Sequence, residues 1–135
     1  MKRLVLLLLS YVILLSCDKS DDEQIQYDIV NDWILIEVLS DPGDGSGEFE
    51  PVVSTKTLSF FENGTMNSTE SLCPGSNDEI GLSGTYEEDP GVIFPSDCKA
   101  QETRIEYYFE GKYLILRYSC IESCLEKYQR VPFND

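Results

Sequence analysis

The chain has 135 residues, with 25 acidic and 10 basic side chains, a net charge of −15, five cysteines and no histidine. Acidity on this scale excludes nucleic acid as a partner, because binding it depends on basic residues that neutralise phosphates. The lack of histidine removes the usual general base and the commonest transition-metal ligand, which excludes histidine triads and histidine-ligated zinc.

The N-terminus opens with Lys2 and Arg3, then runs apolar from Leu4 to Leu15 with only Ser10 and Tyr11 interrupting. A basic start and a short apolar stretch make a secretory signal, since a spanning helix needs ~20 apolar residues. Ser16-Cys17 resembles the lipobox of bacterial lipoproteins, in which a peptidase cuts before the cysteine and lipid is joined to its thiol and new amine. That likeness implies a signal peptide over 1–16, a palmitate-type anchor on Cys17, and a membrane partner reached only through that lipid. Without the signal the chain keeps eight basic and 25 acidic residues, a net charge of −17 that would itself repel anionic headgroups.

Residues 17–27 read as the lipidated cysteine and a tether, because Asp18 to Gln24 holds four acids and no apolar residue and cannot join a core. An acidic stretch in this place also resembles the export signal of some Bacteroidota surface lipoproteins; an ordinary linker is the alternative. Both place the folded part outside the cytoplasm, anchored to an outer membrane and facing the periplasm or the cell surface.

Residues 28–132 suffice for one small domain. Period-two alternation recurs through it and no helical period of useful length appears. Trp33 to Leu39 is the first strand, with Ile34, Ile36 and Val38 sharing a face. Lys56 to Phe61 is the second, with Leu58 and Phe60 opposite Thr57 and Ser59. Asn63-Gly64 then marks a hairpin, because both residues accept positive φ, and Thr65 to Ser68 returns antiparallel. Leu82 to Glu87 and Val92 to Phe94 flank Asp89-Pro90-Gly91, a further turn. Arg104 to Phe109 and Tyr113 to Tyr118 flank Glu110-Gly111-Lys112, and Glu126 to Val131 makes the last strand. Eight short strands in meander order predict an all-β fold, a small up-and-down antiparallel barrel, with a β-sandwich as the alternative.

The order of several short motifs adds a resemblance. A tryptophan-led strand at Trp33, Gly45-Ser46-Gly47-Glu48-Phe49 before Pro51-Val52, Phe60-Phe61-Glu62-Asn63-Gly64-Thr65, Gly84-Thr85-Tyr86 and Lys127-Tyr128-Gln129-Arg130-Val131 follow one another. Together they resemble the lipocalin-like domains of Bacteroidota lipoproteins over Ile29 to Val131. Lipocalins proper begin Gly-x-Trp, whereas Asn31-Asp32-Trp33 lacks the glycine. The resemblance implies a barrel suited to a small apolar ligand. No position matches a ligand-reading motif, so it assigns no binding residue.

In a meander the connections alternate between two ends. Asn63-Gly64, Asp89-Pro90-Gly91 and Gly111 fall at the end where the tether enters, the near end. The longer links, Ser40 to Val53, Asn67 to Gly81, Pro95 to Glu102 and Ser119 to Leu125, fall at the far end. Cys73, Cys98, Cys120 and Cys124 all lie in those far links. An even number in an exported chain reads as two disulfides, with three pairings open, and a four-cysteine zinc site is the alternative. Counting outward from Gly111 sets Phe109 opposite Tyr113 and brings Cys98 near Cys120, which favours Cys98–Cys120 with Cys73–Cys124.

Asp41, Asp44, Glu48 and Glu50 share one glycine-rich far loop, a candidate interaction surface. Calcium favours several flexible oxygens, but the spacing is not that of an EF-hand, and a polar turn-rich loop explains it without metal. Eight tyrosines invite a carbohydrate platform, although Tyr107 and Tyr108 point to opposite sides of one strand and Trp33 reads as packing at the barrel base. Carboxylates abound without arrangement, and a nucleophilic cysteine would lack its usual base. The expectation is a non-enzymatic, cofactor-free binding module of the envelope, whose partner is a protein or a small apolar ligand. An apolar-ligand transport barrel and an envelope enzyme inhibitor are the alternatives.

Overall fold

A computed structural model describes residues 27–73, 82–96, 98, 103–120 and 124–132. The signal segment, Cys17 and the tether before Tyr27 lie outside the described residues. Those described form nine strands: β1 (Asp32–Ser40), β2 (Phe49–Pro51), β3 (Thr57–Phe60), β4 (Thr65–Ser68), β5 (Ser83–Glu87), β6 (Val92–Pro95), β7 (Ile105–Glu110), β8 (Tyr113–Tyr118) and β9 (Cys124–Arg130). Each pairs antiparallel with its neighbour, and β1 closes on β9 from Trp33 opposite Arg130 to Ser40 opposite Cys124. The result is a closed eight-strand barrel with one added strand, as the meander predicts.

The added strand corrects the expected Ser40 to Val53 loop. β2 lies along the upper part of the β1 edge, with Leu39 opposite Phe49, while β3 takes the lower part, with Trp33 opposite Leu58. Between them the chain bulges outward, held by Val52 N–H to Ile36 O and Leu35 N–H to Lys56 O, and Val53 is fully exposed. Three residues are too few for periodicity to reveal β2.

The first strand also differs from its expected facing. Its ladder with β9 slips between Leu35 and Glu37, so Trp33 and Leu35 face the core below the bulge and Val38 packs against it above. Ile34, Ile36 and Val38 therefore do not share one face. A bulge adds a residue to one strand and reverses parity beyond it. Because this strand is apolar at nearly every position, alternation alone could not have located the slip.

The near-end turns fall where expected. The β3–β4 hairpin uses a three-residue loop, with Gly64 N–H bonding to Phe61 O and Gly64 at φ 78°. This left-handed position closes a type I turn into a bulged hairpin. Asn63 contributes through its side chain, which accepts from Thr65 N–H and Oγ1. The β7–β8 hairpin pairs Glu110 with Tyr113 and Phe109 with Leu114. Its loop is Gly111-Lys112, two residues rather than three, so the expected Phe109–Tyr113 register is corrected by one.

The interior is filled by side chains. Trp33, Leu58, Met66, Ile105, Leu114, Leu116 and Tyr128 expose essentially no surface, which leaves no water-sized void against them. Trp33 Nε1 donates to Ile29 O at 2.9 Å, fixing the lead-in segment beneath the base. Phe109 lies 5.8 Å from the Trp33 ring. From the far end Leu72 folds down into the core.

Candidate functional site

The far mouth of the barrel holds a polar cluster inside an otherwise apolar lumen. Lys56 precedes β3 and keeps the inward parity of Leu58 and Phe60, so its side chain enters the barrel and is only 7% exposed. Glu126 enters from β9, in register with Leu116 and Val38. Its carboxylate accepts from Lys56 Nζ at 2.7 and 2.9 Å. Tyr118 OH and Tyr128 OH also donate to it, each at 2.6 Å. Four donor contacts on one carboxylate supply the hydrogen bonds that a buried charge requires.

Burial, and then the Glu126 charge, pushes the Tyr118 phenol well above its ordinary value. Burial does the same at Tyr128, followed by Tyr118 and Glu126. Both phenols therefore stay protonated donors at neutral pH. Above them Lys56, Glu126, Tyr118, Ser71, Leu72, Cys73 and Cys120 line an open cleft of about 260 Å³. The mouth can receive a small polar group, with an ammonium, a carboxylate and a hydroxyl at its floor.

All four cysteines sit at this end, and both disulfides form, but the favoured pairing is corrected. Cys73 bonds Cys98, with Cα atoms 5.4 Å apart, and Cys120 bonds Cys124 across the β8–β9 link at 6.0 Å. Cys124 pairs in register with Tyr118, and Cys120 N–H bonds back to Tyr118 O, so both cysteines are held beside Tyr118 and within reach of each other. Cys73, next to the inserted Leu72, is drawn toward the β6–β7 link instead.

The acidic loop stays at the far end without converging on a cation. Asp41 is turned into its own loop, accepting from the N–H groups of Gly43 at 2.7 Å, Gly45 at 3.0 Å and Gly47 at 3.2 Å. Those amides, that of Gly43 above all, hold Asp41 below the usual carboxylate range despite the opposing cost of burial. The wrap is tight, since a Cβ on Gly47 would lie 2.9 Å from Asp41 Cα. Asp44 accepts from Ser46 N–H at 2.9 Å and is lowered by the Ser46 hydroxyl and amide. Glu48 and Glu50 are exposed beside Val38 and Ser40 in an open cleft of about 350 Å³. Among the described residues no group of three or more acids or cysteines is placed to hold a metal ion.

Comparison with protein-family models, with curated proteins and with solved structures finds no match for this chain. Its site is thus defined by its own residues. Lys56, Glu126, Tyr118 and Tyr128 were not singled out by sequence reasoning. A signal for Lys56 was present, because extending the Leu58 and Phe60 parity by two residues places it inside. Tyr107 and Tyr108 divide as expected, one buried and one 39% exposed.

Proposed function

We propose that this chain is a non-enzymatic lipoprotein, anchored through lipid on Cys17 at an outer membrane, whose far rim is a binding surface for a protein of the envelope or cell surface. The observation that carries this is the division of the barrel. Its base and middle are filled with side chains, while both disulfides, the Asp41 to Glu50 loop and the polar mouth gather at the opposite end. Small barrels filled in this way have little room for an enclosed apolar ligand, which favours a surface module over a transport barrel. The lipobox resemblance supplies the anchor, and the entry of the tether at the near end would turn the rim away from the bilayer.

Site-specific photo-crosslinking in intact cells tests this. A crosslinker at Glu48 or Ser119 on the rim is expected to give a discrete protein adduct, and one at Glu62 in the near-end turn is not. Adducts at Glu62 alone would reverse the assignment. Cys17→Ala should abolish lipid labelling and release the chain from the membrane fraction.

A further inference from the structure

A second cleft, at the near end, has a different chemistry. β6 begins at Val92, so its ladder with β7 ends at Val92 opposite Glu106, followed only by Tyr107 N–H to Gly91 O at 2.9 Å. Beyond that bond β7 continues to Glu110 without a strand partner on this side, and the lead-in segment fills part of the gap. Tyr27 stacks on Phe109 with ring centroids 5.9 Å apart. The remaining space is a cleft of about 400 Å³ lined by Tyr27, Tyr107, Tyr108, Phe109, Glu88 and the Pro90-Gly91 turn, with Ile29 at its base.

Tyr27 and Phe109 bring two aromatic rings to this cleft and Glu88 a carboxylate, with no basic side chain in the lining, while the Tyr108 ring faces the Arg117 guanidinium at 5.5 Å. Ring quadrupoles attract cations, and aromatic-lined clefts are the usual receptors for alkylated ammonium groups. An anion would meet Glu88. A hard metal ion would find one carboxylate where it needs several oxygens. The surroundings add negative potential: the charges of Glu88, Asp28 and Glu62 all reach the Tyr86 phenol, and that of Glu88 also reaches Tyr107.

We propose that this near-end cleft binds an organic ammonium group, with the rings of Tyr27 and Phe109 as its aromatic walls and Glu88 as its counter-charge. Such a group comes from a free amine or from a lipid headgroup; only the headgroup source rests on the anchoring proposed above.

The test uses the purified full-length chain in maltoside micelles, titrated with choline and with its neutral isostere 3,3-dimethylbutan-1-ol at matched ionic strength. Calorimetry and the emission of Trp33, the sole tryptophan and a neighbour of Phe109, report binding. Choline is expected to bind at least about tenfold more tightly than the alcohol, and Glu88→Gln or Tyr27→Leu to weaken it about fivefold. Glu88 is exposed and Tyr27 only half-buried, and an unchanged urea midpoint confirms the fold of each variant. Equal affinity for the two probes, no choline binding, or choline binding indifferent to both substitutions would overturn the assignment. Vesicles bearing phosphocholine headgroups, set against phosphoglycerol ones, separate the sources. Displacement of choline by the former alone identifies a headgroup, and no displacement identifies a free amine; the ammonium chemistry stands in either case. Neither readout depends on Cys17, so a failure of the anchor and a failure of this site are told apart.

Discussion

Glu126 organises the far mouth because its one carboxylate satisfies a lysine and two phenols at once. Breaking a buried pair by removing one partner strands the other charge, which typically costs 3–5 kcal/mol. Since the Glu126 side chain is still 19% exposed and keeps two phenol donors, Lys56→Met is expected to lower stability by about 2–3 kcal/mol in urea unfolding. Adding Glu126→Gln should recover much of that loss, because the amide oxygen still accepts from the phenols and no charge remains. A single variant as stable as the parent would mean the pair contributes nothing. Asp41 acts on its own loop and by another mechanism. Its folded-state value is lowered by the Gly43, Gly45 and Gly47 amides, so its contribution is present above the usual carboxylate range and is lost as pH falls through the lowered value. Asp41→Asn is therefore expected to be less stable than the parent near neutral pH, with the gap closing as both are taken from about pH 5 toward pH 2. A gap constant across that range would remove the ionised carboxylate as its cause.

The connections show where element-level stability is held. Cys73–Cys98 joins the β4–β5 link to the β6–β7 link over a sequence separation of 25, whereas Cys120–Cys124 spans only 4. In the chain-entropy model these are worth about 3.5 and about 2 kcal/mol. Replacing Cys73 and Cys98 by serine should thus lower the urea midpoint more than replacing Cys120 and Cys124, and the reverse order would contradict the loop-closure account. The two pairs also mark what was legible in the sequence. The tight turns at Gly64, Gly91 and Gly111 were readable because local chemistry decides them, and with them the meander, the barrel and the gathering of cysteines at one end. The pairing was not, because contacts between links decide it: Cys120 meets Cys124 across the β8–β9 link, and Leu72, packed into the core, sets Cys73 beside Cys98. The β1 bulge escaped because Trp33 to Ile36 is apolar on both faces, so no polar position before Glu37 reports the slip. Lys56 and Glu126 lie 70 residues apart, and only the closed barrel brings β3 and β9 across the same lumen.

At the scale of the whole molecule, closure of β1 on β9 encloses the lumen and buries the phenol of Tyr128, with that of Tyr118 beside it at the partly exposed mouth. Both titrate above their ordinary value in the folded chain, chiefly through burial. Between the unfolded value near 10 and the higher folded one, the native state holds protons that the unfolded chain releases. Stability contributed by these groups is therefore complete below about pH 10 and declines as pH rises above it, by up to about 1.4 kcal/mol per pH unit for each phenol. The net charge of −15 acts in the same direction through self-repulsion, so alkaline loss of stability does not by itself identify the tyrosines. Two measurements separate the causes. Tyrosinate absorbance from the buried Tyr128 phenol should appear only together with global unfolding, while exposed tyrosines ionise earlier in the native state. Tyr118→Phe combined with Tyr128→Phe keeps the charge but removes the buried protons, and is expected to show a shallower decline between about pH 10 and 11.5 despite lower stability at pH 7. Parallel decline in parent and double variant would assign the alkaline limit to repulsion across the surface instead of to the barrel interior.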